Sequence, residues 1–302
     1  MTTVPTYGLS LFQAARAMGV PFKVERVPED KFVEVGGLKL HYLDWGTKGK
    51  PWMLFLHGGS QQAHSWDFVA LHFCPDYHVI ALDQRGHGDT EWAPEGDYSG
   101  AAHQKDITGF VDAIGMDKFI LTGLSMGGRN AYTYAANHAA KVRALVIVDV
   151  GPEVNAPGTG RIRQFVQDSQ EAEFDEWVKR TLQFDPFRTE EQVRGSLLHN
   201  LRKLPNGKWG PKYDTRFRGS GRGEAGSDTA EGWKLVSRIK TPTLIIRGGN
   251  SDVFFEAHAV KLQQAIPGSK WVTVPKAGHH VQGDNPVGLI SEVGGFLKGL
   301  KM

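Results

Sequence analysis

Short apolar runs, each too short for a helix, recur along this chain between segments with helical spacing, and this alternation constrains the fold more than any other feature. The runs cover residues 52–56, 78–82, 119–122, 144–148, 243–247 and 271–274. Strands that are apolar on both faces are typical of parallel sheets covered by helices on both sides. Residues 31–35 and 38–43, joined across Gly36-Gly37, predict an antiparallel hairpin ahead of them. The sequence therefore predicts an α/β fold with a mostly parallel sheet and flanking helices.

One long segment, residues 151–240, breaks this alternation between two buried runs. Within it, Thr189 and Gln192 form a capping-box pattern that predicts the start of a helix. We predict that residues 1–150 and 241–302 form the core domain, with a helical extension at 1–30, and that 151–240 are an inserted, mainly helical cap. A chain of 302 residues with this organisation is expected to have a single main hydrophobic core.

Composition narrows the class of protein. Lysine and arginine total 35 against 33 acidic residues, so the chain lacks the positive charge of a nucleic-acid-binding protein. Cys74 is the only cysteine, which excludes an intrachain disulfide. The first 22 residues have neither a basic region nor an apolar run that could span a bilayer. We expect a cytoplasmic protein with a small-molecule substrate, no nucleic-acid partner and no membrane association; a homodimer is left open.

Cofactor and metal motifs are missing from the sequence. No GxGxxG pattern follows the first strands, and no GxxxxGK[ST] pattern occurs. The segment from Asp83 to Asp89 is charged, but the spacing of Asp83, His87 and Asp89 matches no metal motif. We predict that this segment is a hydrogen-bonded turn that supports the active site, and that the protein uses no cofactor and no metal ion.

The segment Gly123-Leu124-Ser125-Met126-Gly127 carries the strongest catalytic signal. It follows a buried run and opens a helical pattern, as the nucleophile-elbow motif requires. Glycines two residues to either side of Ser125 leave room for a sharp turn that exposes the hydroxyl. Ser125 is therefore the predicted nucleophile.

A serine nucleophile needs a general base and an acid that orients the base. His279 and His280 follow the last buried run and are the candidates for the base. Asp252, after the run at 243–247, is the predicted acid because the chain order serine, acid, histidine is typical of this motif. Asp149, at the end of a neighbouring run, is the competing carboxylate, and we interpret it as a structural residue at the entry to the insertion.

The oxyanion of a tetrahedral intermediate needs backbone N–H donors. Met126, directly after the nucleophile, and Gly59, in the segment His57-Gly58-Gly59-Ser60, are the predicted donors. His57 is interpreted as a buried structural residue. Residues expected to contact the substrate are Gly58, Trp66, Trp177 and Trp209.

Taken together, these segments resemble the α/β-hydrolase family, and in particular its capped serine esterase-like members. The resemblance is carried by His57-Gly58, by the Asp83–Gly88 turn, by the elbow around Ser125, and by Gly278-His279 with Asp284 and Pro286. It implies that His279, rather than His280, is the base. It also separates the chain from dehalogenases and epoxide hydrolases, whose elbows carry an aspartate.

The resemblance implies cleavage of a carboxylic ester, but one fold supports many reactions. A lactonase and a carbon–carbon hydrolase of the meta-cleavage type remain alternatives, and so does a hydrolase-like receptor that binds a ligand with little turnover. Aromatic residues in the insertion favour a small uncharged ester, whereas its arginines, among them Arg161 and Arg216, could bind a carboxylate.

Overall fold

The computed structural model describes residues 9–168, 171–218 and 227–300. Within them, the strands are β1 (Glu29–Val35), β2 (Leu38–Asp44), β3 (Trp52–Leu56), β4 (His78–Leu82), β5 (Phe119–Leu124), β6 (Val142–Val148), β7 (Leu201–Lys203), β8 (Trp209–Pro211), β9 (Thr243–Gly248) and β10 (Lys270–Val274). Eight of them form one sheet in the order β1-β2-β4-β3-β5-β6-β9-β10. β2 pairs antiparallel with β1 and β4, and all other neighbours are parallel. The predicted α/β fold is confirmed.

The helices are α1 (Leu11–Ala17), α2 (Asp67–Phe73), α3 (Gly100–Ala113), α4 (Met126–Asn137), α5 (Ala156–Asp168), α6 (Phe174–Phe184), α7 (Glu190–Asn200), α8 (Ser227–Val236), α9 (Glu256–Ala265), α10 (Val281–Asp284) and α11 (Pro286–Gly299). Short 3₁₀ helices occur at Ala63–Trp66 and Thr215–Arg218. No helix in the described part of the chain is long and apolar enough to cross a membrane.

The opening hairpin follows the sequence prediction closely. Val35 pairs with Leu38, so Gly36 and Gly37 form a two-residue turn. Their φ angles are 58° and 82°, and two consecutive positive φ values define the turn that matches the twist of a hairpin. Residues with a Cβ rarely adopt this conformation, which explains the glycine pair.

Each face of the sheet carries its own hydrophobic core. In β3, Met53 and Phe55 join the cluster that includes residues of α1, α2 and α11, whereas Leu54 and Leu56 join the cluster with residues of α3, α4 and α9. This division follows from the two-residue period of a strand. Burial of each such side chain stabilises the fold by about 1.5–3 kcal/mol, so a sheet buried on both faces is strongly favoured.

The insertion between β6 and β9 has a small core of its own. Ala172, Trp177, Val178, Val193, Leu197 and Leu201 form it, and they come from α6, α7 and the adjoining segments. The capping box that was predicted at Thr189 and Gln192 is present at the start of α7. The last part of the insertion differs from the prediction, because Val236 and Ile239 belong to the main core rather than to a separate cap. The Gly-rich segment at 219–226 lies outside the described residues.

Candidate active site

Ser125 occupies a strained corner between β5 and α4. Its φ and ψ are 52° and −115°, a conformation that is unfavourable for a residue with a Cβ. A Cβ on Gly123 would lie 2.2 Å from the carbonyl oxygen of Gly127, and a Cβ on Gly127 would lie 2.2 Å from that of Leu56. Strand and helix therefore approach closely only because both positions are glycine. The turn leaves Ser125 partly exposed between buried neighbours.

Asp149 lies directly after β6, the strand beside β5. Its side chain is completely buried, and it accepts hydrogen bonds from the Gly248 N–H at 2.7 Å and from the Ser251 hydroxyl. The backbone N–H of Ser125 donates to the carbonyl oxygen of Val148 at 3.0 Å. The serine and this carboxylate therefore follow directly from the ends of two paired parallel strands.

His279 also contacts this carboxylate. Its Nδ1 lies 2.8 Å from Oδ2 of Asp149, and only 8% of the histidine side chain is exposed. A carboxylate that accepts from Nδ1 fixes the imidazole tautomer and leaves Nε2 as the acceptor.

The structure contradicts the prediction that Asp252 would orient the histidine. Asp252 is 41% exposed and forms a two-point ion pair with Arg161, with N–O distances of 2.9 and 3.2 Å. Its pKa is lowered, mainly by the hydrogen bond from Arg161. The histidine loop crosses close to the end of β9, where a Cβ on Gly248 would lie 2.0 Å from the Gly278 carbonyl oxygen. Asp149 lies directly at a strand end beside that loop, whereas Asp252 is four residues beyond one.

The two candidate histidines face different parts of the molecule. Nδ1 of His280 lies 3.1 Å from Oδ2 of Asp185, which follows α6 in the insertion. Burial disfavours the charged form of His280, but the hydrogen bond and the charge of Asp185 outweigh it, so that the pKa of His280 is raised. His280 thus joins the insertion to the core, while His279 faces Asp149.

The loop after β3 contains the backbone groups that were predicted to bind an oxyanion. The N–H of Gly58 is bound by Oε1 of Gln61 at 3.1 Å, so that it is not free to bind an oxyanion. Met126 is the first residue of α4, where N–H groups have no partner within the helix. Met126 and Gly59 therefore remain the predicted oxyanion donors.

His57 has the structural role that was predicted for it. The ring is completely buried, Nδ1 donates to the Gly58 carbonyl oxygen at 2.7 Å, and Nε2 accepts from the Gln84 N–H at 3.0 Å. The Gln84 side chain binds the His57 carbonyl oxygen at 2.7 Å and accepts from Asn130 of α4 at 2.6 Å. The turn from Asp83 thus connects the loop after β3 to the helix that follows Ser125 through hydrogen bonds. Cys74 is also buried.

The tryptophans that were expected to contact the substrate have packing roles. Trp66 is completely buried in the main core and stacks on Phe55, with ring centroids 4.8 Å apart. Trp177 is 3% exposed and donates to the Trp209 carbonyl oxygen at 2.9 Å. Trp209 itself packs against the core of the insertion. The prediction that Trp66 and Trp177 line the pocket is therefore wrong, because Trp66 packs into the main core and Trp177 into the core of the insertion.

Comparison with known proteins identifies the family of this chain. The family model for the alpha/beta hydrolase fold matches residues 51–286. The chain therefore belongs to the α/β-hydrolase family, whose members typically have a catalytic triad and an oxyanion hole, and it is an enzyme of the hydrolase class.

Among individual proteins, the chain is similar to the esterase Rv0045c of Mycobacterium tuberculosis, with 30% identity over 279 residues that cover 90% of each chain. A crystal structure of that esterase superimposes with a TM-score of 0.76 at 30% identity, covering 96% of this chain and 99% of the other. The chain is also 26% identical to the 2-(acetamidomethylene)succinate hydrolase of Mesorhizobium japonicum, over 88% of this chain and 94% of the relative.

Proposed function

We propose that this protein is a serine hydrolase that cleaves small carboxylic esters through an acyl-enzyme, with Ser125 as nucleophile, His279 as general base and Asp149 as the orienting acid. The observation that carries the proposal is the hydrogen bond between His279 and the buried carboxylate of Asp149, beside the strained elbow that presents Ser125.

Acylation needs a proton acceptor and a site for negative charge. Oγ of Ser125 attacks the ester carbonyl carbon while Nε2 of His279 takes the hydroxyl proton, and Asp149 stabilises the resulting imidazolium through Nδ1. The N–H groups of Met126 and Gly59 bind the oxyanion. His279 then gives its proton to the leaving alcohol as the carbon–oxygen bond breaks. The contact between the Ser125 hydroxyl and Nε2 of His279 is part of the proposal.

Deacylation repeats these steps with water. Nε2 of His279 removes a proton from the water as its oxygen attacks the acyl carbon, and the same N–H groups bind the second oxyanion. The proton then returns to Oγ of Ser125, and the carboxylic acid leaves. No cofactor or metal ion is needed for this cycle.

Electrostatics in the insertion favour an uncharged substrate. Arg161 is paired with Asp252, and Arg216 is paired with the buried Asp214 at 2.6 Å. Two arginines that could bind a substrate carboxylate are thus already neutralised by protein carboxylates. This supports a small uncharged ester over a meta-cleavage product, which is an acid, and the similarity to an esterase supports the same choice. A lactone, which is also an uncharged ester, remains the second candidate.

The nucleophile is tested by covalent labelling. A fluorophosphonate probe should increase the mass of the wild-type protein by that of one covalent adduct per chain. Peptide mapping should locate the adduct on Ser125. Ser125→Ala should not be labelled and should lose ester turnover by ~10⁴-fold or more, because only binding and oxyanion stabilisation remain. Label on another residue, or an active alanine variant, would contradict the assignment.

The substrate class is tested by comparing specificity constants. We expect the highest kcat/KM on short-acyl aryl esters, with lactones next and a dienoic meta-cleavage product far lower. A preference for the dienoic acid would overturn the ester assignment. Labelling of Ser125 without turnover on any substrate would support a receptor.

A further inference from the structure

A second group of chemically active side chains lies at the boundary between the insertion and the core. His64 belongs to the 3₁₀ helix after the oxyanion loop, Asp67 is the first residue of α2, and His199 lies in the last turn of α7. One nitrogen or oxygen atom from each residue lies within 4.8 Å of the others. Two imidazoles and one carboxylate are a ligand set that zinc and related divalent transition metals bind.

Only one of the two carboxylate oxygens of Asp67 has a hydrogen-bond partner among the described residues. Oδ2 of Asp67 lies 2.9 Å from Nδ1 of His64, while Oδ1 is buried and has no hydrogen-bond partner within the described part of the chain. The Asp67 side chain is 13% exposed. A buried carboxylate oxygen without a partner is costly, and a bound cation would satisfy it.

The two histidines lie next to each other across the boundary between the insertion and the core. The rings of His64 and His199 stack with their centroids 3.9 Å apart. Metal ions bind the neutral form of imidazole, so the pair brings two potential nitrogen ligands together.

A second cluster of possible metal ligands differs from the first in its hydrogen bonds. His41, Asp83 and Asp89 also lie together. However, His41 binds Asp83 at 2.7 Å and Asp30 at 3.1 Å, and the other oxygen of Asp83 accepts from the Ala63 N–H at 2.6 Å. Asp83 is thus committed to the structure on both oxygens, whereas Asp67 has an oxygen to offer.

We propose that His64, Asp67 and His199 form a binding site for one divalent transition-metal ion of the zinc class, which fastens the insertion to the core. His199 comes from the insertion, and His64 and Asp67 come from the core. A direct hydrogen bond already joins the same two elements, from Gln62 to Asn200 at 3.2 Å. An ion held by ligands from both parts stabilises the arrangement in which they meet, because it binds the native state and not the separated one.

The test is zinc binding to protein that has been freed of metal by a chelator and carries no affinity tag. Calorimetry should show one Zn²⁺ per chain, and zinc should raise the unfolding temperature. His199→Gln and Asp67→Asn should each weaken binding by ~10-fold or more, since each removes one ligand. His72→Gln is the matched control, because His72 is a partly exposed histidine of α2 whose Nδ1 contacts the Pro21 carbonyl oxygen. This variant should bind zinc like the wild type.

His279→Ala separates this site from the proposed catalytic residues and should retain zinc binding. Circular dichroism without zinc confirms that each variant is folded. The proposal is overturned if the wild type binds no zinc at millimolar concentration, if His199→Gln and Asp67→Asn both bind like the wild type, or if only His279→Ala loses binding. None of these outcomes depends on ester turnover.

Discussion

Asp149 and Asp252 follow neighbouring strands of the sheet, yet their surroundings differ completely. Asp149 is buried and binds the Gly248 N–H, the Ser251 hydroxyl and His279. Asp252 is partly exposed and paired with Arg161. A buried carboxylate with fixed donors holds an imidazole in one orientation, whereas an exposed one in an ion pair contributes little directional constraint.

This difference predicts opposite sensitivities for two similar substitutions. Asp149→Asn should lower kcat by about 10³- to 10⁴-fold, because an amide favours the wrong imidazole tautomer. Asp252→Asn should change kcat by less than about tenfold, since it removes only an exposed ion pair. Steady-state kinetics on an aryl ester, with circular dichroism to verify folding, measures both. The reverse ranking would restore Asp252 as the acid.

Two glycines give a matched test of the elbow. A Cβ on Gly127 would lie 2.2 Å from the backbone oxygen of Leu56, so Gly127→Ala must move the strand or the helix. We expect a loss of several kcal/mol in the free energy of unfolding, or failure to fold. Gly160, in α5, has open space around its Cβ position, and Gly160→Ala should raise stability by about 0.5–1 kcal/mol. Urea titration of both variants measures the contrast, and a tolerated Gly127→Ala would contradict the geometry.

At the scale of elements, the segment from Gly278 to Asp284 links the core to the insertion. His279 faces Asp149 on the core, His280 faces Asp185 on the insertion, and Oδ2 of Asp284 accepts from the Gly278 N–H at 2.9 Å. Burial, followed by the charge of Asp185, raises the pKa of Asp284 to about 6. The ionised form of Asp284 therefore destabilises the folded state.

The raised pKa of Asp284 predicts that Asp284→Asn increases the free energy of unfolding more at high pH than at low pH. The cost of ionising Asp284 is absent below its usual pKa near 3.8, grows as the pH rises, and is complete above about 6. The asparagine can still accept from Gly278 but cannot ionise. We expect it to stabilise the protein by ~1 kcal/mol or more at pH 8 relative to its effect at pH 4. Urea unfolding at both pH values measures this, with the exposed Asp117→Asn as control. A larger gain at pH 4 would contradict the prediction.

At the scale of the whole molecule, the insertion is fastened to the core at several places besides the histidine loop. Asp214 is 1% exposed, accepts from the Tyr98 hydroxyl, and pairs with Arg216, which in turn binds the carbonyl oxygen of Ala93 at 3.0 Å. The Asp214 N–H also donates to the Gly86 carbonyl oxygen at 2.8 Å. On the same side, Lys212 forms an exposed ion pair with Asp89 at 2.8 Å.

We expect these two attachments to contribute unequally. Asp214→Ala removes the buried carboxylate that accepts from the Tyr98 hydroxyl and pairs with Arg216, and it should cost about 1–3 kcal/mol. Lys212→Ala removes a partly exposed pair and should cost less than ~1 kcal/mol. Thermal unfolding and the rate of protease cleavage within the insertion measure both. Equal effects, or faster cleavage only in Lys212→Ala, would show that the buried cluster does not hold the insertion.

Local patterns were sufficient to predict much of the molecule. The buried runs, the Gly36-Gly37 hairpin, the capping box at Thr189 and the strand-turn-helix at Ser125 depend on residues near each other in the chain. Periodicity, glycine conformations and capping hydrogen bonds act over a few residues, so the sequence determines them before any long-range contact forms. The family resemblance also rested on short segments, among them His57-Gly58, the Asp83–Gly88 turn and the elbow around Ser125.

Long-range contacts decided the rest. His279 binds Asp149 rather than Asp252 because the histidine loop passes close to the end of β9 at Gly248. No local sequence pattern indicates this close approach. Trp177 and Trp209, which were expected in the pocket, pack in or against the core of the insertion, because the insertion must bury its own apolar surface. His64 and His199 are 135 positions apart in the printed sequence and meet only when the insertion folds back on the core. Sequence spacing determines which side chains lie on the same face of one helix or strand. Contacts between distant elements depend instead on how those elements pack.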